Sequence, residues 1–547
     1  MKLTPIAISA AALVLSACGG GGDSAPQQTN PQSQKISGVA ATGAAMQGAT
    51  VNITCSAGSG TAITGTDGSY SAPVSGASLP CVLTATSSDG KTVLHSLIAG
   101  SGSVSSGATA NVTPLTELLL AQLAGQDPAK YAAAFSSATT VNASDVTAAQ
   151  SALVKVLQSG GFDASSISDF LGGAISAGSG QGYDAVLDTL QAALVKAGVT
   201  LTDLSTAVAS TKGSSSGAAG STIGTVLAPA NSACPALKSG DHRLIKFSDG
   251  TAQVVTVDAI KLTVAEGGAT YQLTPTQGST ACDFSLNDSV STRVLVAKSG
   301  MAVWTSGSGN TGTLSLSMPK QTLDPSAING GYNYVALSGS AQGAYGTHNY
   351  ATGVTTAATN CSVGSGCQVD THSPYGHLVS TSDGGADWID DGASAGTAGF
   401  HAYGFQNAQG SIIWIASMVG GVGVFAPQTT LSVPAVGTTS AFWQRTIKAN
   451  GLTTVSEDSN TVTAVNGSTV TRTFTDTHTD QIIYNDPFNG LRHRPGTNVC
   501  TNATGATVAC NETWQLPLGG LTLAWSGSPF VTPSTYQVTL SVNKPVH

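Results

Sequence analysis

The residues best equipped for chemistry lie between positions 361 and 401. Gly392-Ala393-Ser394-Ala395-Gly396 has the G-x-S-x-G spacing of a nucleophile elbow, where a serine on a sharp strand-to-helix turn attacks an acyl carbon. The segment that follows, from Thr397 to Gly404, does not read as a helix, and the same spacing recurs at Gly213-Ser214-Ser215-Ser216-Gly217. In a chain with 66 glycines such matches arise by chance, so no catalytic residue is assigned. Nearby, Asp370, His372 and His377 precede Asp383, Asp387, Asp390 and Asp391, with His401 beyond. Imidazoles beside carboxylates could complete a metal shell. The acids do not follow the alternate spacing of a calcium loop. The preferred reading is a long surface loop clipped by Cys361 and Cys367, with His372, His377 and Asp370 as weak metal candidates and no cofactor implied.

Two further patterns concern sugars. Threonine occupies every second position from Thr469 to Thr479. On one strand these residues would form a continuous row of hydroxyls and methyls, suited to glycan or ordered water. Threonine is also a good strand former for an exposed face, and that reading is preferred. Trp304, Trp388, Trp414, Trp443, Trp514 and Trp525 could stack on sugars but are read mainly as core anchors.

The elements that must position these residues are mainly β. Residues 231–547 show short strands with turn signals between them. Leu521, Leu523 and Trp525 alternate with Thr522 and Ala524, and Tyr536, Val538, Leu540 and Val542 alternate with polar residues. Each such strand has one buried and one wet face. Asn466-Gly467 between two strand-like runs is a hairpin signal. The region is expected to be a large antiparallel barrel or sandwich, with a candidate division at 427–434. Residues 113–211 read as a helical domain. Thr113 is an N-cap with Pro114 behind it, Ser144 caps a second helix, and Tyr183, Val186, Leu187, Leu190 and Leu194 form an apolar stripe ended by Gly198. Residues 212–230 read as a Gly/Ser/Ala linker.

Residues 37–112 read as a β-sandwich. Val51, Ile53 and Cys55 alternate with Asn52 and Thr54, and Asp67-Gly68 marks a turn before Tyr70. The order Gly38-Val39, Gly43-Ala44, Gly48-Ala49-x-Val51 and Thr64-x-x-Asp67-Gly68-x-Tyr70 resembles the carboxypeptidase regulatory-like, or transthyretin-like, domain. That resemblance implies an Ig-like sandwich with the aromatic in its core and a non-catalytic spacer or adhesion role. Asp67 is read as a turn residue.

The first eighteen residues have the order of a secretory signal: Lys2, an apolar run from Ile6 to Leu15, then small residues before Cys18. Leu15-Ser16-Ala17-Cys18 resembles the lipobox of bacterial lipoproteins. The resemblance implies cleavage after residue 17, acylation of Cys18 and, with Gly19 following, delivery to the outer membrane. Residues 18–36 form a flexible tether. The other eight cysteines fall into local couples, Cys55 with Cys81, Cys234 with Cys282, Cys361 with Cys367, and Cys500 with Cys510. We expect four disulfides, which suit an oxidising compartment.

Composition narrows the function. Charged residues are 9% of 547 positions and the net charge is -9, with no Lys/Arg cluster, which argues against nucleic acid as a partner. The expected role is that of a lipid-anchored, non-catalytic surface protein, binding the membrane through its lipid and an external polysaccharide or protein through its folded part. The alternative is a surface-anchored hydrolase of an external polymer using the 370–401 loop.

Overall fold

The computed structural model describes residues 34–104, 107–338, 343–362, 366–371, 373–392, 396–407, 410–418, 421–448, 451–527 and 537–545. Cys18, His372, Ser394 and Tyr536 lie outside the described residues.

The fold is mainly β and multidomain. Its first unit is a sandwich of a three-stranded and a four-stranded sheet. The first strand, Gln34–Val39, begins inside the stretch assigned to the tether. Tyr70 is buried and its hydroxyl donates to the carbonyl of Ala110. Gly38 packs so tightly on that same carbonyl that a side chain there would collide with it. Asp67 accepts from the backbone N–H and the hydroxyl of Ser69, at 3.0 and 2.7 Å, which makes it a turn residue.

Six helices follow among the described residues: α1 (Pro114–Ala124), α2 (Pro128–Ala134), α3 (Ala143–Ser159), α4 (Gly182–Ala197), α5 (Leu201–Ser210) and α6 (Ser216–Leu227). Thr113 caps α1 in a reciprocal capping box with Thr116. The cap of α3 is Asn142, not Ser144; Ser144 already lies within the helix. Helix and sandwich are tied by a buried pair, His95 Nδ1 to Glu117 Oε2 at 3.0 Å.

The stretch 212–230 is not a linker. Ser215 caps α6, and Ala218, Ala219, Gly220, Thr222, Ile223 and Val226 are buried. A side chain at Gly220 would strike Ser159 of α3. The small residues that suggested flexibility are a face on which two helices approach closely. Lys238 then donates to the carbonyls of Ala197 and Val226, at the C-terminal ends of α4 and α6.

The β-rich region is neither one barrel nor one sandwich. It is three successive eight-stranded antiparallel barrels. The first runs from Gly240–Lys246 to Thr313–Pro319 and closes where these two strands pair. In the second, Gly330–Ser338 pairs with the last strand, Gly421–Pro427, and Gly343–Ala351 with Val354–Ser362 completes the ring. In the third, Thr439–Lys448 pairs with the last strand, Gln537–Asn543, and Thr469–Phe474 pairs with Thr479–Tyr484. The second and third barrels part at 428–438, near the division expected from sequence; the break at 320–329 was not expected.

One apolar core joins the three barrels from outside. Leu316 and Val303 of the first, Val424 and Ile415 of the second, and Trp443, Leu523 and Trp525 of the third pack into one buried cluster. The lumens differ. Val257, Phe284, Val294 and Trp304 fill the first. Tyr332, Tyr350, Trp414 and Phe425 fill the second, with Trp414 stacked on Phe425 at 3.5 Å between ring centres. The third lumen is polar.

Candidate functional site

The third barrel turns its apolar residues outward. On Leu521–Gly527, Leu523 and Trp525 enter the inter-barrel core, while Thr522 and Ala524 line the lumen. On Arg492–Arg494 the two arginines face inward and His493 faces outward, stacked on Trp514. The result is a cavity of about 430 Å³ lined mainly by hydroxyls, amides and charges, with Phe442, Phe474 and Val462 among them.

Half of the chain's six arginines, Arg472, Arg492 and Arg494, line this cavity. Arg472 and Asp480 are register partners on adjacent strands. Arg472 donates to both carboxylate oxygens, Nε to Oδ1 at 2.9 Å and Nη2 to Oδ2 at 2.6 Å. Arg494 adds Nη1 to Oδ2 at 2.9 Å. Burial works to raise the pKa of Asp480, but the two guanidiniums outweigh it and hold the carboxyl below its usual range. Arg492 has no carboxylate partner among the described residues. Its Nη2 donates to Thr522 Oγ1 at 2.9 Å, its guanidinium lies 5.7 Å from the centre of the Tyr484 ring, and its Nε is buried without a hydrogen bond. Burial lowers its pKa from the usual arginine value. Asp458, the other carboxylate on the wall, accepts from Ser459 N–H and the Thr475 hydroxyl. The remaining titratable group on the wall, His478, pairs through Nδ1 with Asp476.

Among the described residues, the segment favoured by sequence does not converge on one centre. His377 Nδ1 meets Asp391 at 2.8 Å. His401 uses both ring nitrogens elsewhere, Nδ1 to Asp387 at 2.5 Å and Nε2 to Asp383 at 3.2 Å. Asp383 also accepts from Tyr403 at 2.8 Å, and the Arg243 guanidinium sits 3.8 Å above the Tyr403 ring. Burial resists ionisation of Asp383, yet bonds from Thr381, Gly385 and Tyr403 and the charge of His401 keep its carboxyl well below the carboxylate range. Burial, with Asp383 beside it, pushes Tyr403 up to about 12. Asp370 accepts through its carbonyl from Tyr375 at 2.9 Å. No group of three or more His, Cys, Asp or Glu that could hold a metal is present among the described residues.

The threonine row is not continuous. Thr469, Thr471 and Thr473 lie on one strand, the chain reverses through 475–478, and Thr479 returns opposite Thr473. Trp414, Trp443 and Trp525 are fully buried, so their faces are closed to sugars. All four expected cysteine couples close as disulfides, at sequence separations of 26, 48, 6 and 10.

Sequence reasoning missed the arginines of the lumen. The usable signal was Arg492-x-Arg494, two like charges at strand period in a chain with few arginines.

No family model and no curated protein matches this chain. Among solved structures it aligns with the isotype 1 transferrin binding protein B of serogroup B Neisseria meningitidis, at 8% identity and a TM-score of 0.18, over 53% of this chain and 62% of that one. The chain thus spans less than two thirds of that protein. It also aligns with a DUF3598-family protein of unknown function from Nostoc punctiforme, at 9% identity and a TM-score of 0.15, over 42% of this chain and 100% of that one. At such TM-scores neither alignment bears on fold or function.

Proposed function

We propose that this chain is a lipid-anchored, non-catalytic binding protein of the outer membrane, with the third barrel as its ligand container. The lumen carries the binding half of this reading. Its volume of about 430 Å³ falls in the range of small-molecule sites, and its wall presents polar groups where the other two barrels hold clusters of buried apolar side chains. The anchor half rests on Leu15-Ser16-Ala17-Cys18, and the four disulfides suit a compartment outside the cytoplasm. Among the described residues no single helix is long and apolar enough to cross a membrane. An N-terminal sandwich of the transthyretin-like kind would serve as a spacer.

Binding is tested by ligand-observed NMR with a library of polar metabolites on the full-length protein and on Ser541→Trp, which fills the lumen. Compounds should respond to the wild type and not to the variant; a library that treats the two alike rules the container out. Cys18→Ala should abolish incorporation of labelled palmitate and release the protein from membranes.

One observation favours a hydrolase as a second reading. His377 and Asp391 form an oriented imidazole–carboxylate pair, and Ser394 follows Asp391 by three positions in sequence. Turnover of ester, glycoside or peptide substrates, lost in Ser394→Ala and in the His372→Ala/His377→Ala double variant, would replace the binding reading.

A further inference from the structure

The charges of the third lumen do not cancel. Arg472 and Arg494 share Asp480, and Asp458 is engaged by Ser459 and Thr475. Arg492 is left with the hydroxyls and ring of Thr522 and Tyr484, a share in the field of the already paired Asp480, and a buried Nε–H that has no hydrogen-bond partner among the described residues. A buried donor without an acceptor is costly, and a guanidinium whose nearest carboxylate is already shared by two others is under-compensated. Such a group is relieved by an anion that enters the cavity.

We infer that the lumen binds a small hydroxylated monocarboxylate, of the uronic or sugar-acid class, with its carboxylate on Arg492. This rests on the container reading above. The group without a carboxylate of its own is one planar guanidinium, whose fork matches the two oxygens of a carboxylate. The other two arginines are already committed to Asp480, so the site offers one net positive charge rather than the several that would suit a phosphate dianion. The rest of the wall fits hydroxyls. Along the ladder Arg492 neighbours Gln515, Gln515 neighbours Ala524, and Ala524 neighbours Thr539. The side chains of Gln515 and Gln444 face the cavity with no hydrogen bond among the described residues. A free carboxamide both donates and accepts, which is what a polyol requires.

The test is calorimetric titration of the full-length protein in detergent with D-glucuronate, D-glucose and inorganic phosphate. Glucuronate should bind about tenfold or more tightly than glucose, the difference one charged hydrogen-bonded contact makes. Arg492→Gln should remove that preference. Arg492→Lys, which keeps the charge and loses the fork, should fall between the two, and near-UV circular dichroism checks that both variants fold. Equal binding of glucose and glucuronate, abolished by Ser541→Trp, would overturn the carboxylate inference and leave the container standing. Phosphate binding more tightly than glucuronate would overturn it as well. Failure of all three probes in a protein whose lumen still takes up other polar compounds defeats this inference alone. Failure of every compound to distinguish wild type from Ser541→Trp defeats both.

Discussion

The second and third barrels share strand number, topology and a common outer core, yet they invert each other. In the second, aromatic rings fill the lumen, and His348 is buried deeply enough that its imidazole is held down to about 4. In the third, Thr, Gln, Arg and Asp share the wall of an open space with Phe442, Phe474 and Tyr484, and the tryptophans are on the outside. A closed sheet does not by itself decide which face is the interior. The decision comes from what else the apolar face can meet. All three barrels bury part of an outer wall in the shared core, so the third can keep a stable apolar face outside while its lumen carries polar groups.

The contrast is sharpest under truncation. Trp414→Ala should cost the second barrel about 3–5 kcal/mol, because a stacked, fully buried ring leaves a cavity; urea unfolding measures it. Asp480→Asn should cost the third barrel about 3 kcal/mol, since two guanidiniums lose their shared carboxylate. The same pair sets a pH limit. The pKa of Asp480 is lower in the folded chain than in the unfolded one. Its contribution is therefore complete above the unfolded value of about 3.9 and is lost as pH falls through the folded value. Acid titration of Asp480→Asn should show a shallower loss of stability below about pH 4 than the wild type. If the wild type and the variant lose stability in parallel, the ion pair is not what holds the lumen wall.

Smaller effects separate the two barrels further. Cys361–Cys367 closes a loop of separation 6 in the second barrel, and Cys500–Cys510 one of separation 10 in the third. Loop entropy assigns them about 2 and about 3 kcal/mol, so Cys361→Ser/Cys367→Ser should lower the thermal midpoint less than Cys500→Ser/Cys510→Ser. Least of all, Ser541→Trp should change stability by less than about 1 kcal/mol, because it adds volume to open space rather than to a packed core. A large loss there would mean that the lumen is not open.

Local chemistry was legible in the sequence and non-local closure was not. Thr113 with Pro114, and Asp67 with Gly68, are read correctly because their bonds reach only two or three residues. The alternation Leu521, Leu523, Trp525 correctly gives two faces, but not which one lines a lumen, since that depends on neighbours far along the chain. Pairing of Thr439–Lys448 with Gln537–Asn543 has no local signature, so three barrels read as one β-rich stretch. Residues 212–230 were misread because glycine and alanine mark both flexible chain and close helix contact, and only the presence of Ser159 opposite Gly220 tells them apart. The site was missed for the same reason. Arg472, Arg492 and Arg494 span a stretch with no familiar motif, and the pairing of three successive strands brings them to one wall. The chain's other three arginines fasten barrel to barrel: Arg243 to the carbonyl of Asp383, Arg293 to Glu457, and Arg445 to the carbonyl of Gly307.

Ring closure has another consequence, for behaviour at high density. A β-rich chain with charge on only 9% of its residues lacks the usual lysines and glutamates that keep sheet margins from annealing to one another. Each of the three rings leaves no margin on its main ladder, because first and last strands bond to each other. Crowded together, copies of this chain would touch through these rings without templating each other into fibrils. The sequence can then use threonine, serine and glycine where an open sheet would need charged gatekeepers.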